Sequence, residues 1–201
     1  MYVANPVYEF DLRELRLSLG DAYDSAGRLE EARATLSAAY ADSVAHDGAR
    51  TQRLHDMRER WGRFLLDHSR SNSADLRQAQ AEFDVVIANP SSRFHDPDVL
   101  AHSDLARLAV VRNDGAGALR ESRQALAMLD RVQLTDTRSS QRVWLAHSQV
   151  LLYNGNAAEA ADWAAKAYRA SMRTDDPGSP VVAAAKAALA NARAGRQPKP
   201  S

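Results

Sequence analysis

Small residues recur in this chain at a register that a generic helical bundle has no reason to keep. Gly20, Gly62, Ala106 and Ser148 lie 42, 44 and 42 residues apart. Each sits near the middle of an apolar-periodic segment. Ala32, Ala118 and Ala160 follow the first, third and fourth of these anchors at twelve positions. In the second unit the equivalent is Ala79, five positions late, which requires an inserted loop in SRSNSAD at 69–75. Seven residues further on come Ala39, Val86, Ala125 and Ala167. Two helices can approach closely only where facing positions lack bulk, so paired small residues at fixed spacing predict a repeating helical hairpin. Larger neighbours such as Leu19, Tyr23 and Leu36 are expected to fill the space between pairs.

The rest of the pattern agrees. Alanine and leucine dominate and β-branched residues are sparse, which favours helix throughout. The spacing predicts helices near 10–26, 29–46, 50–68, 75–88, 97–112, 115–130, 138–154, 157–173 and 180–194. Gly27 and Gly155 each precede a short polar helix start and suit a left-handed helix end. Gly20 lies inside a helix, where glycine costs about 1 kcal/mol against alanine, so a close approach is its expected justification. Asp96-Pro97 reads as a capped helix start.

Residues 19–36 carry Leu19, Gly20, Tyr23, Gly27, Ala32 and Leu36, and residues 144–167 carry Trp144, Leu151, Gly155, Ala160 and Ala167. The second unit has Trp61, Gly62 and Phe83, the third Leu105, Ala106, Ala109, Ala118 and Ala125. In these residues the chain resembles the tetratricopeptide repeat (TPR) family, in the long-helix variant found in kinesin light chains and bacterial regulatory proteins. The resemblance implies an all-α, right-handed superhelical solenoid of four hairpins spanning 12–194. Residues 180–194 form its capping helix, 1–11 an N-terminal extension and 195–201 a disordered tail. The extension offers Tyr2, Val3, Val7, Tyr8 and Phe10 to cover the first hairpin, or is the remnant of an upstream repeat of a larger regulator.

Chemistry is sparse. The chain contains no cysteine, so it holds no disulfide, thiolate metal site or cysteine nucleophile. It has no Gly-rich phosphate loop, HExxH or GxSxG, and the expectation is a protein that is not an enzyme and takes no cofactor. His95, Asp96, Asp98 and His102 cluster in sequence, but Asp96 is already explained as a cap and no metal site is expected. His46, His55 and His68 fall near helix ends, where exposure or carbonyl contacts are expected. His147 stands where a core leucine is usual and is expected to be buried and hydrogen-bonded. The 26 basic and 26 acidic residues cancel, which gives no footprint for nucleic acid. No apolar run reaches the length of a membrane span, and the N-terminus lacks the pattern of a signal peptide. A cytoplasmic location is the expectation.

The family's groove positions, carried onto this chain, are Asp21, Asp24, Glu59, Arg63, Asp67, Ser103, Arg107, Arg142, Gln149 and Tyr153. They imply a concave face that binds a protein or peptide segment, acidic in character because the set turns basic from Arg63 onward. Family members that clamp a chaperone's C-terminal carboxylate use Lys and Asn at such positions, which are absent here. The alternative is a self-association module forming a homodimer.

Overall fold

The computed structural model describes residues 6–48, 51–69, 72–90, 96–132 and 137–196. Tyr2, Val3, His95, the side chains of Val7, Tyr8 and Phe10, and the tail from 197 lie outside the described residues. Within them the chain is all helix: α1 (Pro6–Ser25), α2 (Leu29–His46), α3 (Gln52–His68), α4 (Ser73–Ala88), α5 (Asp96–Val111), α6 (Gly115–Arg131), α7 (Arg138–Tyr153), α8 (Ala157–Thr174) and α9 (Pro180–Arg193). The first helix starts at Pro6, four residues earlier than its apolar spacing predicts. Proline suits that place because its missing N–H would have no helical partner there.

Helices pair as α1 with α2, α3 with α4, α5 with α6 and α7 with α8, and α9 closes the array against α8 and α7. Three hairpins turn in the same way. Gly27, Asn113 and Gly155 each take positive φ, at 72°, 59° and 83°. The next residue's N–H returns to the last helical turn, Arg28 to Tyr23, Asp114 to Ala109 and Asn156 to Leu151, at 2.8–2.9 Å. This satisfies carbonyls that a helix end would otherwise leave bare. Asp114 and Asn156 then cap the following helices, accepting from the N–H of Gly117 and Glu159. The second hairpin departs from the scheme at the insertion: Ser69 has ordinary helical φ, and Asn72 caps α4 by accepting from Ala74 N–H.

The anchors work by complementary size. A Cβ on Gly20 would lie 2.6 Å from Leu36 Cδ2, and one on Gly62 would lie 2.7 Å from Phe83 Cε1. Leu36 and Phe83 are themselves buried, at 2% and 0% exposure, so neither can swing away cheaply. In the last two hairpins both partners are small. Ser122 and Ala164 sit at the repeat positions of Leu36 and Phe83, and both are buried, as are Ala106 and Ser148. The hydroxyl of Ser148 donates to Ala160 O at 2.7 Å. One apolar cluster therefore spans the first two hairpins through Leu36, Met57, Trp61, Phe64 and Phe83, and smaller ones fill the rest.

Leu19 does not fill a gap between pairs. It is 45% exposed, because its register places it on the side of α1 where each later hairpin meets its predecessor, and α1 has none among the described residues.

Gly62→Ala should lower stability by about 1–2 kcal/mol, as overpacking against Phe83 outweighs alanine's helix preference. Urea denaturation followed by circular dichroism checks this; a stabilised variant would show that the glycine is not there for packing.

Candidate functional site

From α3 onward the backbones of successive first helices come close, α3 to α5, α5 to α7 and α7 to α9, whereas those of successive second helices do not, and α2 and α4 are bridged by long side chains. Examples are Tyr40 Oη donating to Glu82 Oε1 at 2.7 Å and Arg33 to Asp75 at 2.9 Å. The array thus bends toward its first helices, whose outward side chains line the inner face. Nearly all of the residues expected to form a groove lie there, and most of them pair with one another.

The pairing has a direction. Acidic side chains on one first helix meet basic ones on the next: Asp21 of α1 with Arg60 of α3 at 2.5 Å, Asp24 with His68 at 2.7 Å, Asp67 of α3 with Arg107 of α5, and Asp104 of α5 with Arg142 of α7 at 3.1 Å. Arg142 also reaches back to Glu59 of α3 at 2.7 Å, and Arg107 to Asp104 on its own helix at 3.1 Å. Arg63 sits between Asp21 and Glu59 at 3.7 and 3.6 Å. The side chains of Glu59 and Asp104 are 4% and 2% exposed, while Arg107 and Arg142 keep about a third of theirs in solvent at 32% and 33%. Carboxylates form the floor and guanidinium groups the lining.

Burial and the arginines pull the two floor carboxylates in opposite directions. Burial pushes Asp104 up to about 6 despite Arg142 and Arg107. Burial would raise Glu59 too, but Arg142 and Arg63 hold it down to about 2. The arginines are correspondingly raised by their carboxylates against the opposing effect of burial. Half-buried Asp56 on α3 is pushed up to about 6, first by burial and then by the negative charge of Glu59, Glu14 and Asp96, with Arg60 opposing.

Ser103, Arg107, Arg142 and Gln149 come together around a cleft of about 160 Å³ between α5 and α7, completed by Asp104, Leu145 and Ala146. Asp24 and Tyr153 lie at the turn end instead. Tyr153 Oη donates to Asn113 Oδ1 at 3.3 Å, against the turn of the third hairpin. Asp104, Arg60 and His68 were not among the expected groove residues. Their signal was an acid and a base about one repeat apart on consecutive first helices.

The histidines divide. His147 is buried, with Nδ1 3.0 Å from Ser122 Oγ and its ring edge-on to Trp163. Burial pushes its pKa down. His46 Nδ1 contacts Asp42 O at 2.9 Å, as a residue at a helix end can. His55, expected to be exposed or to contact a helix-end carbonyl, is instead wholly buried with neither ring nitrogen hydrogen-bonded, because it occupies the inward face of the first turn of α3. Among the described residues no group of three or more His, Asp or Glu could hold a metal ion, and no helix is long and apolar enough to cross a membrane.

No family model matches the chain, and no curated protein matches it. Solved structures do. A Podosopora anserina protein described as a putative kinesin light chain with nearly identical TPR-like repeats superposes in two crystal structures, one of a substituted form, with a TM-score of 0.60. The match covers 90% of this chain and 85% of that one at 16% identity. The fold is TPR-like. At that identity the likeness speaks for the architecture of hairpins and inner face, and the charge ladder described above belongs to this chain's own residues.

Two outcomes follow from the buried charges. Arg142→Ala leaves Glu59 and Asp104 without their shared partner and should cost about 3 kcal/mol, the lower end for breaking a buried pair because Arg142 is a third exposed; chemical denaturation measures it. Asp56, whose folded pKa exceeds the unfolded one, contributes stability below the unfolded value that is lost as pH rises through about 6. Asp56→Asn should therefore raise the melting temperature near neutral pH and leave it nearly unchanged near pH 3.5, where the wild-type carboxyl is largely protonated in both states.

Proposed function

We propose that this chain is a noncatalytic module that binds a protein or peptide segment along the inner face of its first helices, with the α5–α7 cleft as the principal contact. The observation that carries this reading is the convergence of Ser103, Arg107, Arg142 and Gln149 beside the apolar wall of Leu145 and Ala146. Two guanidinium groups, each about a third exposed and held by carboxylates, are fixed in orientation before a ligand arrives, which lowers the ordering cost of binding. Their N–H groups not engaged with Glu59, Asp67 or Asp104 suit a carboxylate or backbone carbonyl of the ligand.

Net charge on the inner face is close to balanced, so an acidic ligand is selected by the geometry of the guanidinium groups more than by a long-range field. Asp104 adds a dependence on acidity. When it takes up a proton below about pH 6, Arg107 and Arg142 lose one competing negative charge. An acidic ligand should then bind more tightly. Such a module fits a recruiting role in a cytoplasmic regulatory protein.

Gln149→Trp fills the cleft while leaving every ion pair in place. In a pull-down from source-cell lysate, the intact chain should retain a partner that Gln149→Trp loses, with stronger retention near pH 5.5 than near pH 7.5. Identical retention by both proteins would remove the cleft from the binding reaction.

A further inference from the structure

The gaps between successive second helices are filled in different ways. Between α2 and α4, Arg33 reaches Asp75 at 2.9 Å, and its guanidinium lies 5.7 Å from the centre of the Phe64 ring. Carried along the anchors Ala32, Ala79, Ala118 and Ala160, the place of Arg33 falls to Gln80 and then Leu119, and that of Asp75 to Asp114 and then Asn156. Leu119 packs into the apolar clusters of the last two hairpins. Gln80 is turned instead to Arg112 of α5, whose guanidinium donates to its side-chain oxygen. Leu108 stands where the first gap has Phe64.

What remains between α4 and α6 is a pocket of about 190 Å³, floored by Leu105, Leu108 and Ala109 of α5. It lies on the side of α5 opposite Ser103 and Arg107, and is therefore separate from the α5–α7 cleft. Three carboxylates line it. Glu121 is answered by His102 Nδ1 at 2.9 Å and by Arg120 at 3.5 Å. Asp114 uses one oxygen to accept from the Gly117 N–H at 2.8 Å, and the Asp84 carboxylate pairs with no cation among the described residues. Arg112, the other cation of the lining, is held by Gln80 and by Leu76 O. Two carboxylates thus stand beside an unfilled space with an apolar floor, at the register where the preceding gap holds a guanidinium.

We propose that the α4–α6 pocket binds an arginine side chain of a partner protein, its guanidinium paired with Asp114 and Asp84 and its methylene stem over Leu105 and Leu108. The guest repeats from outside what Arg33 does within the chain one junction earlier, against Asp75 and Phe64. Arginine suits the place better than lysine, because its planar fork can donate to two carboxylates at once whereas an ammonium is a compact point charge. The pocket is smaller than the roughly 300 Å³ at which small-molecule sites begin, so it fits one side chain of a larger partner. Exposed ion pairs are individually weak, and tight binding would need further contacts around the arginine. Because this pocket and the inner face lie on opposite sides of α5, they can hold ligands together and can succeed or fail separately.

The test is an amide-resolved NMR titration of the full chain with N-acetyl-arginine amide, a cation without a carboxylate, against N-acetyl-lysine amide at the same chloride concentration. The amides of Gly117, Leu108 and Asp84 should move saturably, with a dissociation constant on the order of 10 mM for the arginine derivative and roughly threefold or more weaker binding of the lysine one. Gln80→Arg places a guanidinium in the position of Arg33 and should abolish the response. Asp84→Asn, at an exposed side chain outside every ion pair among the described residues, should weaken it by roughly threefold or more and decides the matter alone should Gln80→Arg not fold. Absence of saturable movement at these amides, equal binding of the two derivatives, or a response unchanged in the folded variants overturns the proposal.

Discussion

Everything on the inner face depends on carboxylates of one first helix meeting guanidinium or imidazole groups of the next. Coulomb attraction alone is a weak reason for such contacts at a surface, where each is worth a fraction of a kcal/mol. Here the acids at the centre are buried and the bases are not, which changes the balance. Glu59 and Asp104 cannot return to water without opening the junction between α3, α5 and α7, so Arg142 must stay where it answers both. Burial of the carboxylates fixes the position of the groups that line the cleft.

Hairpin closure supplies the frame for that ladder. Leu36 lying on Gly20 and Phe83 lying on Gly62 set the distance between paired helices in the first half, and in the second half both equivalent positions carry small buried residues. The change in strategy along the chain is physical: a bulky side chain over a glycine and small residues at both positions each let the helices come close. Aromatic stacking from Tyr40 through Trp61 to Phe64, at 6.1 and 5.8 Å, then ties the first two hairpins together. Further along, the Lys166 ammonium lies over Trp144 and Trp163 at 4.2 and 4.8 Å. Cation–π contact lets a lysine cover aromatic surface near the fourth hairpin.

The fold was legible because its determinants are short and periodic. Anchors every 42 or 44 residues define the hairpins, and Gly27 and Gly155 mark two of the turns. Asn113 makes the third turn equally well, but asparagine reaches positive φ less often than glycine and carries a weaker signal. Leu19 shows a different limit. Periodicity tells which face a residue occupies, and only the neighbour decides whether that face is covered. The candidate cleft was half legible: Ser103, Arg107, Arg142 and Gln149 could be placed by repeat position, whereas the internal pairing of the arginines depends on long side chains meeting acids 38 to 83 residues away. The partner Asp104 was missed for that reason, and His55 was missed because a position near a helix end does not say which way the ring points.

A double-mutant cycle between Glu59 and Arg142 measures most directly whether the ladder holds the inner face together. Glu59→Gln, Arg142→Met and the double variant, each unfolded in urea, should give a coupling energy of about 1–3 kcal/mol, as expected for contacting members of one charged network. Additive effects within about 0.5 kcal/mol would mean that the two side chains do not depend on each other, and the floor of the cleft would have to be held by apolar packing alone.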